Sequence, residues 1–133
     1  NFHAGNLVLK LALREVNLGN DKGVAVLCQP WQDIDEDSKN ILDNYGDEQH
    51  AGEFETSVML HIDSTKVGSK LIDCVPEVPP TYFDYQYMKE YCPDGVWGKA
   101  TLANSNKGRL LFDAMVKATV EKLSSTFDEL NSD

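Results

Sequence analysis

The most constraining feature of this chain is a helix-like segment followed by a short continuous apolar run. Asn6 to Val16 (NLVLKLALREV) is rich in helix formers, with Leu7, Leu11 and, less regularly, Val16 near one face. Val8, Leu9 and Leu13 widen that face, which predicts a helix buried on more than one side. Asn6 is placed to cap it and Gly19 to end it. Gly23 to Cys28 (GVAVLC) then reads as a strand covered on both faces. Helix followed by buried strand is the grammar of α/β layer folds. A chain of 133 residues is long enough for one such domain with a sizeable core.

Further along, Pro30-Trp31 ends the apolar run, and Ile34 to Asn44 is at most a surface helix. Phe54, Val58 and Ile62 recur every four residues, predicting a helix over about Glu53–Ile62. Asp63 to Tyr82 holds Pro76, Pro79 and Pro80 and reads as a long connection with one short strand near Lys70–Val75. Gly95-Val96-Trp97-Gly98 is a tight turn. The last helix should run from Asn104 or Ser105 to about Phe127, with Phe112, Val116, Val120, Leu123 and Phe127 as its stripe and a frayed tail over Asp128–Asp133.

Charge and cysteines limit the function classes. Twelve basic against 22 acidic residues give a net charge of −10, which disfavours nucleic-acid and anionic-membrane binding. No apolar run approaches the roughly 18 residues of a spanning helix. Cys28, Cys74 and Cys92 are odd in number and widely spaced, which argues against a disulfide framework and for a reducing, cytoplasmic location. None of them has a sequence neighbour that would activate it. The opening Asn1-Phe2-His3-Ala4-Gly5-Asn6 lacks signal-peptide character. The expectation is a chain that starts inside a longer gene product, as a fragment or a processed chain.

Three constellations could carry chemistry. His3 lies in a Gly- and Asn-rich segment; it is either a metal ligand or an exposed terminal histidine. His50-x-x-Glu53-x-Glu55 offers imidazole and carboxylates suited to zinc, manganese or iron. Its two glutamates alternatively complement the dipole of a helix start. On a regular helix Glu53 and Glu55 lie roughly 200° apart, so they should not both enter one site. Trp31 and Trp97 are either packing residues or walls of a small-molecule pocket.

Three segments together resemble the creatininase (creatinine amidohydrolase) family. Asn1-Phe2-His3-Ala4-Gly5-Asn6 resembles its N-G-H-G-G-N motif. His50-Ala51-Gly52-Glu53-Phe54-Glu55-Thr56-Ser57-Val58-Met59-Leu60 resembles its H-A-G-x-x-E-T-S-x-M-L motif closely. Gly95-Val96-Trp97-Gly98, Ala103 and Lys107-Gly108 resemble its G-V-x-G-D-P-x-x-A-S-x-x-K-G segment. The resemblance spans nearly the whole chain but covers only the C-terminal half of the family domain. It implies a three-layer α/β/α fold with a mainly parallel sheet, here an incomplete half. It also implies a metal-dependent amidohydrolase that cleaves a C–N bond of a cyclic or linear amide with metal-activated water.

By the same resemblance His3 and Glu53 are metal ligands, His50 handles the proton, and Glu55 is a supporting carboxylate. Trp97 and Trp31 are the substrate-binding candidates. The family's first half, which supplies a Glu, a His and an Asp to a pair of divalent metals, is not in this sequence. The implied partners are that half or a companion chain, a small amide substrate, and further copies of the chain. Gly5 stands where true creatininases carry a metal-binding glutamate, Phe2 replaces a glycine, and Lys99-Ala100 replaces Asp-Pro. The Gly5 departure points away from creatinine as substrate. The alternatives are a non-catalytic binding or scaffold subunit, or a peptide-processing amidase with an open pocket.

Overall fold

The three segments with helical apolar spacing are helices in the computed structural model, which describes His3, residues 6–19 and residues 23–130. They are α1 (Leu7–Leu18), α4 (Glu53–Asp63) and α5 (Ser105–Leu130). Between α1 and α4 the described residues form only short turns, α2 (Pro30–Asp33), α3 (Glu36–Lys39) and a 3-10 turn at Tyr45–Asp47. Gly19 ends α1 by donating its N–H to the Glu15 carbonyl at 3.1 Å. Asn6 does not cap α1 with its side chain; its own N–H donates to the His3 carbonyl at 3.0 Å. The helix at the C-terminus reaches Leu130, so the fraying expected from Asp128 does not begin there; residues 131–133 lie outside the described part.

One short ladder is present among the described residues. β1 (Asp73–Cys74) pairs antiparallel with β2 (Gly98–Lys99), in the register Asp73 to Lys99 and Cys74 to Gly98. The strand read near Lys70–Val75 is therefore found, at two residues. The Asp73 carboxylate extends this link by accepting from the Thr101 N–H at 2.9 Å and the Thr101 hydroxyl at 2.6 Å.

The strand expected over Gly23–Cys28 does not form. Its backbone is irregular, and the Asn17 amide takes both backbone groups of Ala25: Nδ2 donates to the carbonyl at 3.0 Å, and Oδ1 accepts the N–H at 2.8 Å. A strand buried on both faces needs neighbouring strands for its N–H and C=O groups, and among the described residues no strand ladder includes this run. The expectation for α1 is corrected as well. None of its residues is buried, and Leu11 is 71% exposed.

The chain separates into two compact units. One comprises the described residues of Asn1–Asp35 and Met115–Asp133; in it Ile34 and Met115 are buried, and Lys122 grips the Asp33 carboxylate at 2.8 and 2.9 Å. The other, Glu36–Ala114, has a core of Leu42, Phe54, Val58, Trp97, Ala100 and Leu111. The stripe read on α4 is buried at Phe54 and Val58, whereas Ile62 is exposed.

On α5 the buried side chains are Leu111 and Met115, each one position before the expected Phe112 and Val116, which are exposed. Gly108 explains the rotation. A Cβ there would lie 1.8 Å from the Ser57 carbonyl oxygen, so only glycine lets α5 approach α4 this closely, and that approach decides which face turns inward.

Candidate functional site

The entry into α4 is a strained turn held from several sides. The His50 backbone bridges to Trp97: the Trp97 N–H donates to the His50 carbonyl at 2.8 Å, and the His50 N–H to the Trp97 carbonyl at 3.0 Å. Ala51 then adopts φ +52°, a left-handed conformation unusual for a residue with a side chain. Gly52 stands at the cap position of α4 and supplies no side chain to it.

Glu48 does the capping instead, its carboxylate accepting the Glu53 N–H at 2.5 Å and the Phe54 N–H at 3.3 Å. Burial pushes the Glu48 carboxyl above its usual range, against the opposing pull of those N–H groups and of the Lys99 N–H. Gly98 makes room for it: at φ +148° it takes a conformation open to glycine, and a Cβ would approach Glu48 Oε1 to 2.8 Å.

The two glutamates of the motif go to different places, as the helical period requires. Glu55 turns toward His50. Its Oε2 accepts the Ala51 N–H and lies 3.8 Å from His50 Nδ1. The His50 side chain is 48% exposed and that of Glu55 31%. Both line a cleft of about 500 Å³, together with Thr56, Met59, Lys66 and Lys70.

Glu53 is fully buried. It accepts the N–H groups of Asp43 and Asn44 at 3.1 Å each, and its Oε1 is paired with the Lys107 ammonium. Lys107 uses its other donors on Asp43 Oδ2 at 2.8 Å and the Leu102 carbonyl at 3.1 Å. Burial alone would lower the Lys107 pKa, but the hydrogen bonds to Asp43 and Glu53 outweigh it and raise it.

The structure therefore brings together His50 and Glu55, and sets Glu53 apart from them. His3 is exposed and belongs to the other unit, as does the half-buried Trp31 on α2. Gly5 and Phe2, the two departures in the opening motif, lie outside the described residues. Trp97 is only 2% exposed; its ring packs on Phe83 and Tyr91, with centroids 4.7 and 6.1 Å away, and its backbone is what holds His50. Sequence reasoning missed Glu48 and gave Lys107 no role. The signal for Lys107 was a buried acid at Glu53 that requires a cation.

Among the described residues no group of three His, Cys, Asp or Glu side chains converges to hold a metal. At Glu53 the bonded Lys107 ammonium stands where a cation would repel it, so metal binding there requires Lys107 to withdraw.

Comparison with known proteins places these motifs. Residues 1–123 match the family model for creatininase, creatinine amidohydrolase. The chain belongs to the creatininase family. No curated protein matches it. Among solved structures, a tryptophan-to-phenylalanine mutant creatininase is 26% identical, with a TM-score of 0.65 over 90% of this chain and 49% of that one. A creatininase described as "Creatininase Mn" gives 25% identity and 0.65 over 90% and 49%. A glutamate-to-glutamine mutant creatininase complexed with creatine gives 25% and 0.66 over 94% and 53%.

This creatininase-family chain thus spans about half the length of the creatininases it matches. It carries part of their α/β fold, with mostly helices and one small ladder among its described residues. No helix among those residues is long and apolar enough to cross a membrane.

Proposed function

We propose that this chain contributes the proton-handling side of a creatininase-like, metal-dependent amidohydrolase acting on a C–N bond of a cyclic or linear amide. The observation that carries this reading is the His50–Glu55 pair on the wall of a cleft, with Glu55 anchored to the Ala51 N–H beside the imidazole. Held so, Glu55 favours one ring orientation, and His50 can deliver a proton to the nitrogen leaving the amide. Lys66 and Lys70, which also line the cleft, suit an amide that bears a negative group.

Divalent cations, when bound, would supply Lewis acidity and an activated water. The manganese named for one related structure supports such a cofactor, with zinc and iron as the other candidates. His3 and, once Lys107 has withdrawn from it, Glu53 are the proposed ligands from this chain, and the rest would come from the other half of the domain, in the same protein or a companion chain. A reducing, cytoplasmic location and self-association complete the proposal.

The test is His50→Ala in the assembled enzyme. Amide hydrolysis should fall about 10²–10⁴-fold, stability should stay within about 0.5 kcal/mol, and metal content by elemental mass spectrometry should not change. Joint loss of metal and stability would make His50 a ligand or a core residue instead.

A second reading, a non-catalytic subunit that keeps the fold, is favoured by the Lys107–Glu53 pair, which gives Glu53 a structural task. It expects no metal bound by the assembled protein and no effect of His50→Ala on any amide substrate.

A further inference from the structure

We infer that Cys74 and Cys92 form a reversible intramolecular disulfide, with glutathione disulfide as the oxidant. They are 18 residues apart in sequence, yet their Sγ atoms lie 3.2 Å from each other. A disulfide bond is about 2.04 Å long, so closing it needs roughly 1.2 Å of sulfur movement. Both residues lie in the Glu36–Ala114 unit, whereas Cys28 belongs to the other.

Access is asymmetric. Cys92 is 1% exposed, while Cys74 is half-buried at the end of β1 and donates weakly to the Tyr91 carbonyl at 3.6 Å. Burial, then the neighbouring Cys74 thiol, pushes the Cys92 thiol up to about 12, so it does not ionise on its own. The order of events follows. The Cys74 thiolate, having given its proton to solvent, attacks one sulfur of glutathione disulfide and expels one glutathione thiolate. Cys92 sulfur then attacks Cys74 sulfur in the mixed disulfide, and its proton leaves with the second glutathione. Two protein thiols are oxidised by two electrons, and one glutathione disulfide is reduced to two glutathiones.

The bond would tie β1 to the segment that braces the candidate site. Cys74 pairs with Gly98 in the ladder, beside Trp97. Tyr91, next to Cys92, packs on the Trp97 ring, and Trp97 holds the His50 backbone. The disulfide is thus a staple beneath the turn that presents His50.

The full chain equilibrated in graded mixtures of reduced and oxidised glutathione, acid-quenched, alkylated, digested and analysed by mass spectrometry provides the test. The expected product is a Cys74–Cys92 cross-linked peptide pair, two hydrogens lighter than the dithiol, reversed by dithiothreitol, with Cys28 alkylated throughout. Cys28→Ser should leave the product unchanged, and Cys74→Ser should leave Cys92 without glutathione. The inference is overturned if Cys74 and Cys92 both remain alkylatable at the most oxidising ratio. Oxidation that stops at a glutathione adduct on Cys74, or cross-links that involve Cys28, would overturn it equally.

Discussion

Replacing Lys107 with Met should be the most damaging single change to the core around α4. The Lys107 side chain is 15% exposed and its partner Glu53 is wholly buried. Removing one member of a buried ion pair costs about 3–5 kcal/mol, because the other charge is left without compensation. Glu53 keeps the N–H groups of Asp43 and Asn44, so the low end applies, about 3 kcal/mol. With a urea dependence of about 2 kcal/mol per molar, the unfolding midpoint should fall by about 1.5 M.

Adding Glu53→Gln removes the stranded charge and should recover a large part of that loss, which a double-mutant cycle measures. The pH dependence has a definite sign. The Lys107 pKa is raised in the folded state, so its contribution is fully present below the ordinary value of 10.5 and is lost as pH rises through the folded value. The gap between wild type and Lys107→Met should therefore narrow only in the alkaline range above about 10.5. A cost below about 1 kcal/mol at pH 7, or one identical in the Glu53→Gln background, would refute the view that this pair is an electrostatic unit.

Glu48 offers a titration of the same sign near acid pH. Its folded pKa is raised by burial above the ordinary 4.5, so wild type should lose stability relative to Glu48→Gln as pH rises from about 4.5 toward neutrality. Parallel urea midpoints for the two proteins across that window would refute it. Gly108→Ala should cost about 1–3 kcal/mol by forcing α5 off the Ser57 carbonyl. Gly46→Ala, where an added Cβ meets nothing within 4 Å, should stay within about 0.5 kcal/mol, both variants being read by their urea midpoints.

Apolar spacing made the helices legible because it records which faces are greasy. It does not record what covers them, and that is where the reading departed from the structure. Leu7 and Leu11 predicted a buried α1, yet they are 68% and 71% exposed. Gly23–Cys28 had the composition of an internal strand, but a strand exists only through pairing, and Asn17 took the backbone groups of Ala25 first. Phe112 and Val116 gave α5 a plausible stripe, but a glycine with no apolar weight, Gly108, set the face that packs on α4. The proximity of Cys74 to Cys92 was equally invisible, since it depends on a two-residue ladder rather than on a spacing motif.

The candidate site shows why the H-A-G-x-x-E-T-S segment was readable where the rest was not. Its residues act within one turn of each other, so spacing alone restricts their geometry. Glu53 and Glu55 cannot point the same way on a helix; one enters the core against Lys107 and the other meets His50 at the cleft. What spacing could not supply is the restraint on His50 itself. That comes from residues remote in sequence or unlike a motif: Trp97, whose backbone pairs with it, and Glu48, whose carboxylate caps α4 in place of Gly52. The left-handed Ala51 between them is a backbone conformation that persists only when its surroundings over-determine it. Such strain beside an exposed imidazole is a reason to look for chemistry at His50 rather than at the buried Glu53, whose hydrogen bonds are already accounted for by the core.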